Sequence, residues 1–232
     1  MNIVITGAAR GIGKAIAEAF AKENHTLLLC ARTKDTLIAT ATALNKSYPK
    51  SVVHTLVADL SDKKDVANFA AWCLNFAVPD ILINNAGGFV PGTILNEAEG
   101  SLEGMINNNL YSAYNLTRKL APAMVAAGKG HIFNVCSIAS LQSYEAGGSY
   151  SISKYAMNGF SQNLRHELKA TGVKVTTVYP GAVFTDSWAG FDNSTNRIME
   201  ASDIADMIVA CTKLSSSAVP EEIVMRPQLG DL

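Results

Sequence analysis

The chain has few cysteines, little net charge and no long hydrophobic run, and each of these argues against a class of protein. Its four cysteines, Cys30, Cys73, Cys136 and Cys211, show no paired spacing, which is typical of buried thiols in a reducing cytoplasm. A formal net charge of -1, with no run of lysine and arginine, argues against a nucleic-acid surface. No apolar stretch approaches the length of a membrane span, so we expect no membrane association. The four histidines form no metal-binding pattern, and we expect no bound metal.

Strand-like segments alternate with helix-like segments along the whole sequence. Short apolar runs predict strands near 2–6, 26–31, 52–57, 80–84, 130–136, 174–179 and 222–226. Helical spacing of apolar residues predicts helices near 11–23, 34–47, 63–76, 100–127, 149–170 and 202–213, the last with Ser202 as its N-cap. The alternation predicts an α/β fold, a Rossmann-type doubly wound parallel sheet of about seven strands with helices on both faces. A length of 232 residues favours one domain over residues 1–232.

The N-terminal residues have the glycine pattern of a dinucleotide site. The apolar run Ile3–Ile5 leads into Gly7, Gly11 and Gly13, and a helical pattern follows. Gly7 allows the chain to turn, Gly11 lets the backbone approach a pyrophosphate, and Gly13 allows the helix to pack closely on the strand. The free N–H groups at the start of that helix then face the phosphates.

The second predicted strand ends at Arg32, where a site for NAD usually carries an acid that binds the ribose 2′-hydroxyl. Arg10 lies inside the glycine-rich turn. Two guanidinium groups near the adenosine ribose suit a 2′-phosphate, so we predict NADP(H) rather than NAD(H). The alternative is that both arginines are ordinary solvated surface residues.

Ser137, Tyr150 and Lys154 form a pattern suited to carbonyl and alcohol redox chemistry. Tyr150 and Lys154 are four residues apart and therefore lie on one face of a helix, and Ser137 follows an apolar strand. A neighbouring ammonium favours a phenolate, and a serine hydroxyl can hold the substrate oxygen beside the tyrosine. The tyrosine–lysine spacing alone is common on surface helices, and the glycine pattern gives it its weight.

With these motifs the sequence resembles the classical short-chain dehydrogenases/reductases. The motifs that carry the resemblance are Thr6–Gly13, Asp59, Asn84–Gly87, Asn109, Ser137 with Tyr150 and Lys154, and Pro180–Thr185. The resemblance implies that Asn109 joins Ser137, Tyr150 and Lys154 as a catalytic residue in a proton relay. With the two arginines, the predicted cofactor-binding residues are Thr6, Gly7, Ala9, Arg10, Gly11, Ile12, Gly13, Arg32, Thr33, Asp59, Leu60, Asn85, Ala86, Gly87, Tyr150, Lys154, Pro180, Gly181, Val183 and Thr185.

The resemblance also implies a single NADP-binding, Rossmann-fold catalytic domain. It further implies that the helices near 100–127 and 149–170 pair between subunits, so we expect a homodimer or a homotetramer.

The polar stretch 185–199 is long for a connection in a compact domain, and such loops often cover a binding site. Trp188 and Phe191 within it either cap a flat substrate and exclude water, or anchor the loop to the core. Phe89, Leu141 and Tyr144 lie near the catalytic motifs and are further candidates for the substrate pocket, although helix packing explains Tyr144 nearly as well.

The C-terminal segment, Pro220–Leu232, is similar to that of bacterial sepiapterin-reductase-like members of the family. The resemblance implies reduction of a pterin side-chain ketone with NADPH, and an acid near the C-terminus that holds the pterin. Asp231 is the candidate for that acid, with Glu221, Glu222 and Asp192 as alternatives.

The resulting hypothesis is an NADP(H)-dependent oxidoreductase that acts on a small carbonyl substrate. The same fold serves 3-oxoacyl thioesters, sugars or polyols, and xenobiotic ketones equally well, because the pocket decides the substrate. A non-catalytic NADP-binding sensor is a third hypothesis, and the complete catalytic set argues against it.

Overall fold

The computed structural model describes residues 1–188 and 190–231. Its strands are β1 (Asn2–Thr6), β2 (Thr26–Ala31), β3 (Val52–Val57), β4 (Ile81–Asn84), β5 (Gly130–Val135), β6 (Val173–Pro180), β7 (Val183–Phe184), β8 (Met199–Glu200) and β9 (Glu222–Met225). Seven of them form one parallel sheet in the order β3-β2-β1-β4-β5-β6-β9. The short strands β7 and β8 pair separately, at the two ends of the stretch that the sequence predicts to be a loop.

The helices are α1 (Gly11–Lys22), α2 (Lys34–Ser47), α3 (Lys63–Phe76), α4 (Ser101–Ile106), α5 (Ser112–Ala126), α6 (Gly148–Leu168) and α7 (Ala201–Thr212). Helices α1, α2 and α7 cover one face of the main sheet, and α3, α5 and α6 cover the other. This confirms the predicted doubly wound parallel sheet. Within the described ranges, no helix combines the length and the apolar character needed to cross a bilayer.

Strand β1 shows why the apolar runs are continuous rather than alternating. Ile3 and Ile5 pack with Phe20 of α1 on one face, whereas Val4 packs with Leu116 of α5 on the other. All five side chains are fully buried. A strand in the middle of a covered parallel sheet contacts helices through both faces, so every residue of the run has to be apolar.

A buried chain of polar side chains crosses the carboxyl half of the sheet. Asn84 on β4 donates to Asn134 on β5 (2.9 Å), and Asn134 donates to Ser161 on α6 (2.8 Å). Ser161 in turn contacts Thr177 of β6, with 2.6 Å between the hydroxyl oxygens. Because unpaired polar groups are costly inside a protein, these bonds fix the register of β4, β5 and β6 against one another. The predicted catalytic motifs at the carboxyl ends of these strands are thereby held at fixed positions relative to one another.

Two of the predicted helix details are wrong. The helix predicted over 100–127 is three segments, because a π-helical turn (Asn107–Tyr111) separates α4 from α5. Ser202 is not the N-cap of α7; the helix begins at Ala201, and Glu200 and Asp203 form a reciprocal capping box there. With this capping box α7 begins two residues earlier than it would with Ser202 as its cap.

Candidate active site

The glycine-rich turn between β1 and α1 is a cradle without room for side chains. Gly7 and Gly11 have positive φ angles of 65° and 53°, a region that L-residues with side chains rarely adopt. A Cβ at Gly13 would collide with the carbonyl oxygen of Gly7, and one at Gly7 would lie 3.0 Å from the Cα of Ala86. The exposed N–H groups at the start of α1 therefore face an open backbone concavity, which fits a pyrophosphate.

Thr6 and Asn85 tie this turn to the motif after β4. The Thr6 hydroxyl donates to the carbonyl of Ile83 (3.2 Å) and accepts the N–H groups of Asn85 and Ala86, both at 2.9 Å. The Asn85 amide donates back to the carbonyl oxygens of Thr6 (3.0 Å) and Gly7 (3.3 Å). The two predicted cofactor motifs therefore form one rigid surface at the carboxyl edge of the sheet.

The two arginines occupy different surroundings. Arg10 is exposed and forms an ion pair with Asp186 across 3.4 Å. Arg32 lies exposed just beyond β2, close enough to Asp59 for its charge to act on that carboxyl. Partial burial would raise the pKa of Asp59, but hydrogen bonds from Ser61 and the Arg32 charge hold it below its usual value. Within the described part of the chain, the edge next to the predicted ribose site thus carries one guanidinium without an ion pair, that of Arg32, and one that is already paired, that of Arg10.

The remaining predicted cofactor residues lie along the same edge. Ala9 and Ile12 belong to the glycine-rich turn, Thr33 follows β2, Leu60 follows β3, and Gly87 follows Ala86, whereas Pro180, Gly181, Val183 and Thr185 lie in and after the end of β6. Thr185 reaches the turn directly, since a Cβ at Gly11 would lie 3.3 Å from its methyl carbon.

Helix α6 brings Tyr150 and Lys154 to the end of β5. Lys154 is 6% exposed, and its Nζ donates to the carbonyl oxygen of Val135 at 3.1 Å. The same Nζ lies 5.9 Å from the centre of the Tyr150 ring. Ser137 follows two residues after Val135, and its Oγ accepts the N–H of Ala139 at 3.1 Å. An oxygen that accepts this bond keeps its own proton for donation to a substrate oxygen.

Asn109 is fully buried in the π-helical turn, and its side chain links three segments. Its Oδ1 accepts the Gly88 N–H (2.8 Å), and its Nδ2 donates to the Gly88 carbonyl (3.0 Å) and to the Ser153 hydroxyl (2.9 Å). Gly87 lies between Asn109 and Lys154, because a Cβ there would be 2.8 Å from Oδ1 and 3.7 Å from Nζ. Asn109 therefore holds the loop after β4 against the helix that carries Tyr150 and Lys154.

Two aromatic side chains, Phe89 and Tyr144, lie near Tyr150. The Phe89 ring meets the Tyr150 ring edge-on, with 4.9 Å between centroids. Burial, with a contribution from neighbouring Tyr150, raises the pKa of Tyr144 to about 12. Tyr144 therefore stays a neutral hydrogen-bonding phenol at neutral pH. Leu141 is 41% exposed and follows the short turn after Ser137.

Trp188 and Phe191 pack on each other rather than in the core. Their ring centroids are 5.3 Å apart in an edge-to-face arrangement, and both side chains are only partly buried. With Phe184 and Thr185 they line an open cleft of about 390 Å³. This placement favours the interpretation of an apolar flap beside the cofactor edge over that of a core anchor.

Among the four acidic residues that are candidates for holding a pterin, Asp231 lies beside the carboxyl edge of the sheet. Its Oδ2 pairs with Arg226 at 2.9 Å, and its Oδ1 is buried against Gly181 without a hydrogen-bond partner among the residues that the structure describes. Glu221 pairs with Arg165 (2.7 Å), and Glu222 accepts the Tyr179 hydroxyl (3.2 Å). The remaining alternative, Asp192, is exposed and caps its own turn through the Ser194 N–H.

Three residues near the site, Arg226, Gln142 and Glu97, cannot be recognised from any pattern in the sequence. Arg226 bridges Asp231 and Gln142, the latter at 3.3 Å, and so links the C-terminal segment to the loop after Ser137. Glu97 binds the start of α6 from the loop after β4. The Arg226–Gln142 and Glu97–Ser149 contacts join residues 84 and 52 positions apart, so no local spacing indicates them.

At this edge of the α/β fold, the glycine-rich turn lies next to the loop after β4 and to the predicted serine, tyrosine and lysine. The sequence model of the short chain dehydrogenase family matches residues 1–196. The chain therefore belongs to the short-chain dehydrogenase family and is an oxidoreductase, as the sequence analysis predicts. Sepiapterin reductase from Chlorobaculum tepidum is 32% identical over 239 residues, which cover 99% of this chain and 97% of that protein.

Solved structures agree with this assignment. An alcohol dehydrogenase from the archaeon Thermococcus sibiricus, complexed with 5-hydroxy-NADP, matches with a TM-score of 0.91 at 26% identity and covers 100% of this chain and 98% of its own. A metagenomic short-chain oxidoreductase in complex with NADP matches with a TM-score of 0.86 at 31% identity, covering 98% and 97% of the two chains.

Proposed function

We propose that this chain is an NADP(H)-dependent carbonyl reductase whose catalytic residues are Asn109, Ser137, Tyr150 and Lys154. The observation that carries the proposal is the buried Lys154 ammonium. It lies against the Val135 carbonyl and within 5.9 Å of the Tyr150 ring, at the strand end that leads to Ser137. A charge is costly to bury without a partner, and this geometry places it beside the proton donor.

NADP(H) is the cofactor that the residues fit. The glycine cradle and the start of α1 would hold the pyrophosphate, and Arg32 and Arg10 would hold the 2′-phosphate. The two solved relatives described above were determined with NADP or a modified NADP, which agrees with the cofactor predicted from the sequence. When bound, NADPH supplies the hydride that reduces the carbonyl carbon.

The residues of the chain do the rest of the chemistry. The Ser137 hydroxyl and the Tyr150 hydroxyl donate to the substrate oxygen, and Tyr150 gives up its proton as that oxygen becomes a hydroxyl. Lys154 would bind the nicotinamide ribose and places its Nζ beside the tyrosine. Asn109 holds the loop after β4 and would hold a water that links Lys154 to solvent, so that a proton can be returned to Tyr150. Trp188 and Phe191 exclude bulk water from the site.

For the substrate we propose a pterin side-chain ketone. The 32% identity to a sepiapterin reductase over almost the whole chain supports this choice. The Oδ1 of Asp231, buried beside Gly181 and bonded to none of residues 1–188 and 190–231, is an acceptor suited to an amino-substituted ring. Phe89, Leu141 and Tyr144 supply an apolar wall for a flat ring system.

The test is NADPH and NADH oxidation with sepiapterin, a diketone, a 3-oxoacyl thioester, a sugar ketone and a xenobiotic ketone. Rapid oxidation of NADPH with sepiapterin, and little with NADH, would support the whole proposal. Turnover of another carbonyl alone would keep the reductase and discard the pterin. Tight NADPH binding without turnover across the panel would contradict the enzyme and favour a sensor.

We further propose that residues 1–232 act as one NADP-binding catalytic domain in a cytoplasmic homodimer or homotetramer. Exposed apolar side chains on α5 and α6 support a partner subunit, among them Tyr114, Ile152 and Tyr155. The four cysteines are buried free thiols, which suits a reducing compartment. Light scattering and sedimentation of the purified protein would distinguish dimer from tetramer.

A further inference from the structure

Glu97 clamps the first turn of the helix that carries Tyr150 and Lys154. Its Oε1 accepts the backbone N–H of Ser149 at 2.8 Å, and its Oε2 accepts the Ser149 hydroxyl. Helix α6 has no side-chain cap of its own, because the residue at the N-cap position is Gly147. The carboxylate of Glu97, 52 residues away in sequence, therefore supplies the missing acceptor at the positive end of the helix.

The glycines around the Glu97 side chain leave no room for side chains of their own. A Cβ at Gly148 would collide with Glu97 Oε1, and a Cβ at Gly92 would lie 2.6 Å from Glu97 Cγ. Gly92 also donates its N–H to the Ala146 carbonyl at 3.0 Å. The segment around Gly92 and the segment before α6 are thus closed against each other over the glutamate.

The loop after β4, which carries Glu97, is also held at its other end, near the predicted catalytic residues. Gly88, nine residues before Glu97, is bound by both ends of the Asn109 amide. Between these two attachments Phe89 places its ring edge-on against Tyr150, 4.9 Å between centroids. The loop is therefore held at Gly88 and at Glu97, and Phe89, whose ring contacts Tyr150, lies between these two points.

We propose that Glu97 is a positioning residue for Tyr150, an inference that rests on the proposed reductase function. Tyr150 directly follows Ser149, so the contact between Glu97 and Ser149 sets the position of the tyrosine hydroxyl relative to Ser137. It also sets the distance between Tyr150 and Phe89. Releasing it lets the first turn of α6 fray, and a small displacement of a proton donor lowers the rate much more than it lowers cofactor binding.

The test compares Glu97→Ala with Glu97→Gln, and uses Glu99→Ala as the matched control on an exposed carboxylate two residues further along. Glutamine keeps an acceptor for the Ser149 N–H, so it is the conservative rescue. Incorporation of 3-fluorotyrosine gives one fluorine resonance for each of the seven tyrosines, and Tyr150→Phe assigns the one from Tyr150. NADPH affinity is measured by fluorescence titration, and kcat by NADPH oxidation.

We expect Glu97→Ala to shift or broaden the Tyr150 resonance and to lower kcat by about tenfold, with the NADPH Kd changed less than about twofold. Glu97→Gln should restore most of both, and Glu99→Ala should change neither. An unmoved Tyr150 resonance in folded Glu97→Ala overturns the proposal. A lower melting temperature with kcat and the resonance unchanged overturns it too, since that is a purely structural role. Should the wild type reduce no carbonyl, the proposed function fails, and the fluorine resonance alone still decides whether Glu97 positions Tyr150.

Discussion

Arg32→Ala is the substitution that most directly tests cofactor choice. Arg32 is exposed beyond β2, and its guanidinium is near enough to Asp59 to influence that carboxyl. A charge-assisted hydrogen bond contributes ~1.5–3 kcal/mol, and each 1.4 kcal/mol corresponds to tenfold in Kd. Solvent screening at this exposed edge favours the lower part of that range. We therefore expect Arg32→Ala to weaken NADPH binding by about 10- to 30-fold and NADH binding by less than about twofold.

Arg10 should contribute less than Arg32, because it is already paired. Its ion pair with Asp186 spans 3.4 Å between two largely exposed side chains. Such pairs contribute ~0–1 kcal/mol, and Arg10 has to give that up before it can bind a phosphate. Arg10→Ala should weaken NADPH binding by about three- to fivefold, and Asp186→Asn should tighten it slightly.

The assay is titration of nicotinamide fluorescence for NADPH and NADH, at low and at physiological salt. Lys46→Ala, which removes an exposed cation at the far end of α2, serves as the control. A charge effect at the 2′-phosphate weakens NADPH selectively, and the difference shrinks as salt screens it. Equal losses for NADPH and NADH in Arg32→Ala would refute the reasoning, since they would show that the arginine acts on the shared part of the cofactor or on the fold.

Three further outcomes follow from the structure. Tyr150→Phe should lower turnover by a factor on the order of 10² with NADPH affinity unchanged, measured by steady-state kinetics and fluorescence titration; undiminished turnover would remove Tyr150 as proton donor. Gly13→Ala should lower the melting temperature and abolish NADPH binding, because its Cβ collides with the Gly7 carbonyl oxygen. Burial lowers the pKa of His131 from 6.5 to about 3, so its stabilising effect is complete above pH 6.5 and is lost as pH falls toward 3. The control variant is His131→Gln, which keeps a donor for the Thr176 hydroxyl. Between pH 6.5 and 4.5 the free energy of unfolding, measured by urea titration, should fall by ~2–3 kcal/mol more in the wild type than in this variant. Equal pH dependence of the two proteins would contradict this.

The parts of the fold that follow from the sequence are those governed by local spacing. The apolar runs of β1 and β2 and the glycines between β1 and α1 are adjacent in the chain, so their strand, turn and helix are predictable to within a residue or so. The same holds for Tyr150 and Lys154, because a spacing of four residues on a helix already places them together.

The parts that do not follow depend on contacts between distant segments. The π-helical turn at Asn107–Tyr111 exists where Asn109 bonds to Gly88 and Ser153, and no periodicity of the helix indicates those partners. The Glu97 clamp has the same character, since a glutamate in a polar loop has no distinctive spacing. The contact of Arg226 with Gln142, which links the C-terminal segment to the loop after Ser137, also joins residues far apart in the sequence.

The strand order of the main sheet also has a consequence for synthesis on the ribosome. Strand β2 pairs with β1 on one side and with β3 on the other. These three strands can therefore assemble while the rest of the chain is still being made. The other side of β1 waits for β4, because Ile3 pairs with Ile81. Until that segment emerges, the backbone N–H and C=O groups on that side of β1 are unpaired and its apolar side chains are incompletely covered, the kind of surface to which a nascent-chain chaperone binds. A translational pause shortly before β4 would therefore expose the chain to aggregation for longest, whereas a pause after β4 would be harmless to β1.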